Sequence, residues 1–197
     1  MNRYTLPTSI TVNDEPFEIR DKGDFRMVLS CFNIISNVEY SMQDRILACL
    51  RVFYEDFDDL DTLMSCKCRD ELTEKMMWFL NCGQEDLDTS KQSPKLIDWD
   101  KDANLICSAI NNVAGKEIRA KSYLHWWTFV GYYMAIGECA LSQIVVIRYK
   151  LFKGEKLEKH EKKFMNENPQ FFKHDYRTTE QKADEEYIKS LWEGGNK

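Results

Sequence analysis

The chain has 197 residues, is 43% hydrophobic and 30% charged, and carries a formal net charge of −6. That length and apolar content suit one domain, or one domain with an appendage, built round a real core. Eight Gly and four Pro are too few for a turn-rich β-protein, and net acidity repels phosphate and argues against a nucleic-acid partner.

The densest cationic stretch, Lys150 to Lys163, interleaves Glu155, Glu158 and Glu161, so it reads as a solvated, ion-paired helix face. The longest uncharged apolar stretch, between Lys121 and Glu138, is shorter than the roughly 20 residues that cross a bilayer. No apolar leader is visible at the start of the sequence. The seven Cys, an odd number, mostly sit in apolar helical patterns, so a reduced, cytoplasmic setting is expected.

The first elements read as a β-hairpin. Ile10-Thr11-Val12 and Phe17-Glu18-Ile19 alternate at period two, and Asn13 to Pro16 between them is turn chemistry. Asp24 then predicts the cap of a helix carrying Phe25, Val28, Leu29, Phe32 and Ile35. Ser41 with Asp44 resembles a capping box, opening a helix with Ile46, Leu47, Leu50, Phe53 and Tyr54 on one face. After an acidic knot at Glu55 to Asp61, Leu72, Met76, Phe79 and Leu80 predict a further helix stopped by Gly83. Polar residues 84–96 read as a linker loop.

Asp98 is the expected cap of a helix with Ala103, Ile106, Cys107 and Ile110, which Gly115 ends. Ser122 is the expected cap of the next, which is apolar nearly all round from Tyr123 to Met134 and so predicts a central core helix. The run Ile144 to Ile147 is β-branched, but Leu141, Ile144, Val145, Arg148 and Phe152 keep helical spacing and favour helix. Beyond Gly154 the chain is charged, with Leu157, Phe164 and Met165 on one face and Pro169 as a break. A capping box at Thr178-Gln181 opens a last segment, where Tyr187, Ile188, Leu191 and Trp192 form two i,i+4 pairs. The expectation is a mainly α protein, a helical bundle with a small N-terminal β-hairpin. Its regions are 1–83, the linker 84–96, core helices 97–153, and a charged helical extension 154–197.

Catalytic chemistry finds little support. Cys66-Lys-Cys68 has no second pair at zinc spacing, and Cys82 is the nearest further thiol. Asp98, Asp100 and Asp102 imitate a calcium loop, but Ala103 stands where the turn Gly belongs and Ala109 where the closing Glu belongs. Carboxylates gathered at a helix N-terminus explain them better. His125 with Cys107 or Cys139 would supply nucleophile types, yet nothing in the sequence brings them together. No Gly-rich phosphate loop is present. The expectation is a protein without catalytic, metal or cofactor residues. The candidate partner contacts are Phe164, Met165, Phe171, Phe172, Leu191 and Trp192, apolar groups set among charges. The alternative for them is folding back onto the core and stapling the tail down.

Several motifs occur in a fixed order. They are Asp24-Phe25-Arg26, Asp98-Trp99-Asp100-Lys101-Asp102-Ala103, Leu124-His125-Trp126-Trp127-Thr128-Phe129, Ile144-Val145-Val146-Ile147-Arg148, and the segment Gly154 to Lys163. Together they resemble the bacteriophage "gp-fifteen" family of long-tailed phages over most of the chain. Residues between Ala109 and Ser122 depart from that family's usual aromatic, Tyr-Gly-containing link. The resemblance implies a tail assembly chaperone acting in the host cytoplasm, with the phage tape-measure protein as partner and other tail proteins as further candidates. The alternative is a structural minor tail or connector protein of the virion. Whether the chain forms a homo-oligomer stays open.

Overall fold

A computed structural model describes residues 4–57, 67–84 and 96–173. Two short strands, β1 (Ser9–Val12) and β2 (Glu15–Glu18), come first. Seven α-helices follow among the described residues: α1 (Phe25–Ser36), α2 (Met42–Phe53), α3 (Arg69–Leu80), α4 (Ala103–Ala114), α5 (Trp126–Met134), α6 (Ala140–Lys153) and α7 (Lys159–Glu167). The fold is therefore mainly helical with one small antiparallel hairpin. The chain divides into two compact units, one of residues 1–87 and 110–135, the other of 88–109 and 136–197.

In the first unit the hairpin pairs Val12 with Glu15 and Ser9 with Glu18. Its loop is thus only Asn13-Asp14, at φ of 51° and 65°, the left-handed pair that matches strand twist. The expected turn over Asn13–Pro16 was too long, because Glu15 and Pro16 already belong to β2; a two-stranded edge tolerates the missing Pro16 N–H. Ile10 and Val12 are buried and Thr11 is exposed, as period two requires.

Capping chemistry sets the helix starts. The Asp24 carboxylate accepts from the Arg26 N–H at 3.0 Å, and Ser41 Oγ accepts from the Asp44 N–H at 3.2 Å. α1 buries Phe25, Met27, Val28 and Cys31, and α2 buries Cys49, Leu50 and Phe53. The Cys49 thiol reaches the Cys31 carbonyl at 3.4 Å, so these two cysteines act as small core groups. Tyr54 is fully buried, and its hydroxyl donates to the Leu72 carbonyl at 2.9 Å; burial pushes this phenol well above its ordinary range. Phe25 stacks on Phe129 at 4.6 Å, and Phe53 meets Phe79 edge-on at 5.2 Å. Each such fully buried ring contributes about 1.5–3 kcal/mol.

Two expectations about α5 need correction. Its cap is His125 and not Ser122, because Tyr123 and Leu124 run extended past α1, where the Phe25 N–H donates to the Leu124 carbonyl. Nor is the helix buried all round: Trp126 and Phe129 are buried, but Met134 is 76% exposed.

In the second unit the β-branched run is helical, within α6. Leu141, Ile144, Ile147 and Arg148 face inward while Val146 faces out. Gly154, at φ 68°, ends α6 in the left-handed conformation. Asp98 caps a turn ahead of α4 instead of α4 itself, its carboxylate accepting from the Asp100 and Lys101 N–H groups.

Candidate functional site

The residues that make the sequence distinctive hold the fold together. In the first unit, His125 Nδ1 accepts from the Trp127 N–H at 3.0 Å while Nε2 lies 3.0 Å from the Pro7 carbonyl. A carbonyl only accepts, so the Nε2 nitrogen carries the proton and both ring nitrogens are committed. Burial pushes the His125 pKa down, against the opposing pull of the Pro7 carbonyl and the Asp24 charge. The Trp126 and Trp127 indole N–H groups donate to the Leu80 and Phe79 carbonyls at the end of α3. Asp24 accepts from the Leu124 N–H at 2.8 Å, and its partner Arg26 donates onward to the Lys121 carbonyl at 2.7 Å.

In the second unit, Arg148 and Asp102 form a buried bidentate pair at 2.6 and 2.9 Å, their side chains 1% and 2% exposed. The guanidinium also donates to the Leu96 carbonyl at 2.9 Å and to the Phe171 carbonyl at 2.7 and 3.1 Å. The Asp98 N–H donates to Asp102 Oδ2 at 3.0 Å. The acidic run that imitates a calcium loop is therefore a turn plus one half of an ion pair. The Asp102–Arg148 pairing joins positions 46 residues apart, and no local pattern announces it. No group of His, Cys, Asp and Glu able to hold a metal ion occurs among the described residues. No described helix is long and apolar enough to cross a membrane.

The predicted contact residues gather in part. Phe164 and Phe172 meet edge-on at 6.3 Å, and Met165 and Phe171 are half-buried nearby in sequence. Leu191 and Trp192 lie outside the described residues. Phe164 is also one wall of an open groove of about 400 Å³ between α6 and α7. Val146 and Ile147 supply its other apolar lining, with Glu138, Gln143 and His160 among the polar groups. One side is fixed by an ion pair: Lys150 donates to Glu161 at 2.6 Å, and Glu161 also accepts from the Glu158 N–H at 2.8 Å. Lys150 and these hydrogen bonds lower the Glu161 pKa, and Glu161 raises that of Lys150.

Sequence reasoning missed Val146 as a surface residue. It sits 49% exposed within an apolar run, and only its phase against Leu141, Ile144 and Arg148 could have revealed it. It also missed an apolar tip in the first unit, where Val38, Tyr40 and Met42 are 77%, 60% and 55% exposed between α1 and α2. A larger groove of about 810 Å³ in the first unit is lined by Asp21, Lys22, Asp24, Arg26 and Glu55. Its charged walls suit an apolar ligand poorly.

Comparison with curated proteins and with solved structures gave no match. The family model described as Bacteriophage Gp15 protein matches residues 3–173, which covers every described element. The chain belongs to the bacteriophage Gp15 protein family.

Proposed function

We propose that this phage protein is a non-enzymatic tail assembly chaperone that binds the tape-measure protein in the host cytoplasm through the α6–α7 groove. The observation that carries the reading is the open apolar groove walled by Val146, Ile147 and Phe164 in an acidic member of a phage family. A long helical client with an apolar face would aggregate before tube subunits surround it. An acidic protein that covers that face by helix-in-groove contact keeps it soluble. Many copies along one client act together, so each contact is weak enough for tube subunits to replace it. The committed His125 nitrogens and the saturated Asp102–Arg148 pair support a role without catalysis.

Co-expression with the tape-measure protein of the same phage, followed by pull-down, tests the reading. Val146→Glu puts a charge into the groove from an already exposed position and should weaken capture at least about tenfold, or ~1.4 kcal/mol. Unchanged capture by a folded Val146→Glu protein rejects the groove. A chaperone is also absent from purified virions; recovery there in fixed ratio to tube subunits would favour the structural alternative.

A further inference from the structure

The two ends of the α6–α7 groove differ. Along α6 its lining runs in chain order from Glu138, just ahead of the helix, through Gln143 to Val146 and Ile147. Lys150 follows about one turn on and holds Glu161 of α7 at 2.6 Å. His160, next to Glu161 and also in the lining, therefore belongs to the Lys150 end. A rise of 1.5 Å per residue puts Glu138 and Lys150 roughly 18 Å apart along the axis. The apolar wall lies between them.

The ends are also opposite in charge. Glu138 is exposed, and no ion pair engages it among the described residues. Toward the other end, between residues 150 and 163, six Lys stand against three Glu. Glu161 is spent on Lys150, and Lys163 reaches Glu167 at 3.8 Å. Lys159, beside His160, is exposed and has no ion-pair partner among the described residues. A helix of uniform charge would meet a like charge at one end of this groove. One with a basic residue at one end of its apolar stripe and an acidic residue at the other, about three turns apart, meets an opposite charge at both.

We infer that the groove selects its client segment by this charge order. The client's cation meets Glu138, its apolar stripe covers Val146, Ile147 and Phe164, and its carboxylate faces Lys159. The inference rests on the groove being the client site and adds the pattern that a client segment must carry. Exposed charges at the rim act on the choice of partner and the rate of capture more than on the strength of holding. That suits a contact which tube subunits later replace.

The test uses the full chain and synthetic helical peptides that share one apolar stripe. Their ends carry Lys and Glu, Lys and Lys, or Glu and Glu; the mixed peptide is made in both chain orders, because a helix can enter either way round. Fluorescence anisotropy at low salt should rank the better mixed peptide first, each mismatched end weakening binding about two- to fivefold. Glu138→Lys should move first place to the Glu–Glu peptide, and Lys159→Glu should move it to the Lys–Lys peptide, with circular dichroism of both variants unchanged. Comparing one peptide across these proteins cancels the peptide's own helicity. Equal binding of all the peptides, lost in Val146→Glu, overturns the charge order and leaves the groove as the client site. A ranking that neither charge variant alters overturns it as well. No binding by any peptide overturns both readings. Binding that strengthens as the protein is diluted identifies a second copy of this chain as the occupant and overturns the proposal.

Discussion

Replacing Arg148 with Met removes the guanidinium and keeps an unbranched apolar chain in its place. The Asp102 carboxylate, 2% exposed, then keeps the Asp98 N–H but loses both bonds to its counter-charge. Removing one partner of a buried ion pair costs about 3–5 kcal/mol, because the other charge stays buried and uncompensated. The Leu96 and Phe171 carbonyls lose their donor as well, at about 1–3 kcal/mol for each one left without a partner. These losses overlap and do not add. For a chain of this size 1 kcal/mol moves the midpoint by about 2–4 °C, so Arg148→Met should lower Tm by roughly 6–20 °C. The double variant Asp102→Leu/Arg148→Met removes both charges and should recover part of that loss, leaving the cost of the two carbonyls and of the Asp98 N–H, which loses its Asp102 acceptor. Calorimetry and urea titration of both variants measure this directly. A single variant within about 1 kcal/mol of the unaltered protein, or a double variant no better than the single, would refute the reasoning.

Two further expectations concern the first unit. Burial depresses the His125 pKa, so the neutral ring belongs to the fold. As pH falls below the unfolded imidazole value of about 6.5, the unfolded chain binds a proton that the fold refuses, and stability drops until the folded pKa is reached. His125→Asn keeps an acceptor for the Trp127 N–H, loses the donor to Pro7, and should be less stable at neutral pH with a shallower fall toward about pH 5.5. An identical pH slope in both proteins, read from urea midpoints, would reject His125 as the titrating group. Gly23→Ala should destabilise by more than about 1 kcal/mol. Its φ is +77°, and a Cβ there would stand 2.6 Å from the Phe79 ring. Gly115→Ala, at φ +66° with nothing within 4 Å, should cost less, and equal midpoint losses in chemical denaturation would contradict the packing argument.

Local sequence determined the elements. Asp24 and Ser41 cap helices because a short side-chain oxygen next to an apolar run satisfies free N–H groups wherever it occurs. The phase of Leu141, Ile144 and Arg148 settled a β-branched run as helix because the buried face repeats every three to four residues. The ordered motifs identified the family.

Tertiary structure alone decided what those motifs do. His125 displaces Ser122 as the cap of α5 because residues 123 and 124 are drawn out along α1 by the Phe25 and Asp24 bonds, which no local propensity encodes. By sequence Asp102 is one of several carboxylates gathered at a helix N-terminus; only the fold gives both its oxygens to Arg148, 46 residues away. Phe164 was legible as an apolar group among charges, but the groove beside it exists only once α6 and α7 pack. A sequence pattern records which faces are apolar; which of them stays uncovered depends on contacts between distant segments.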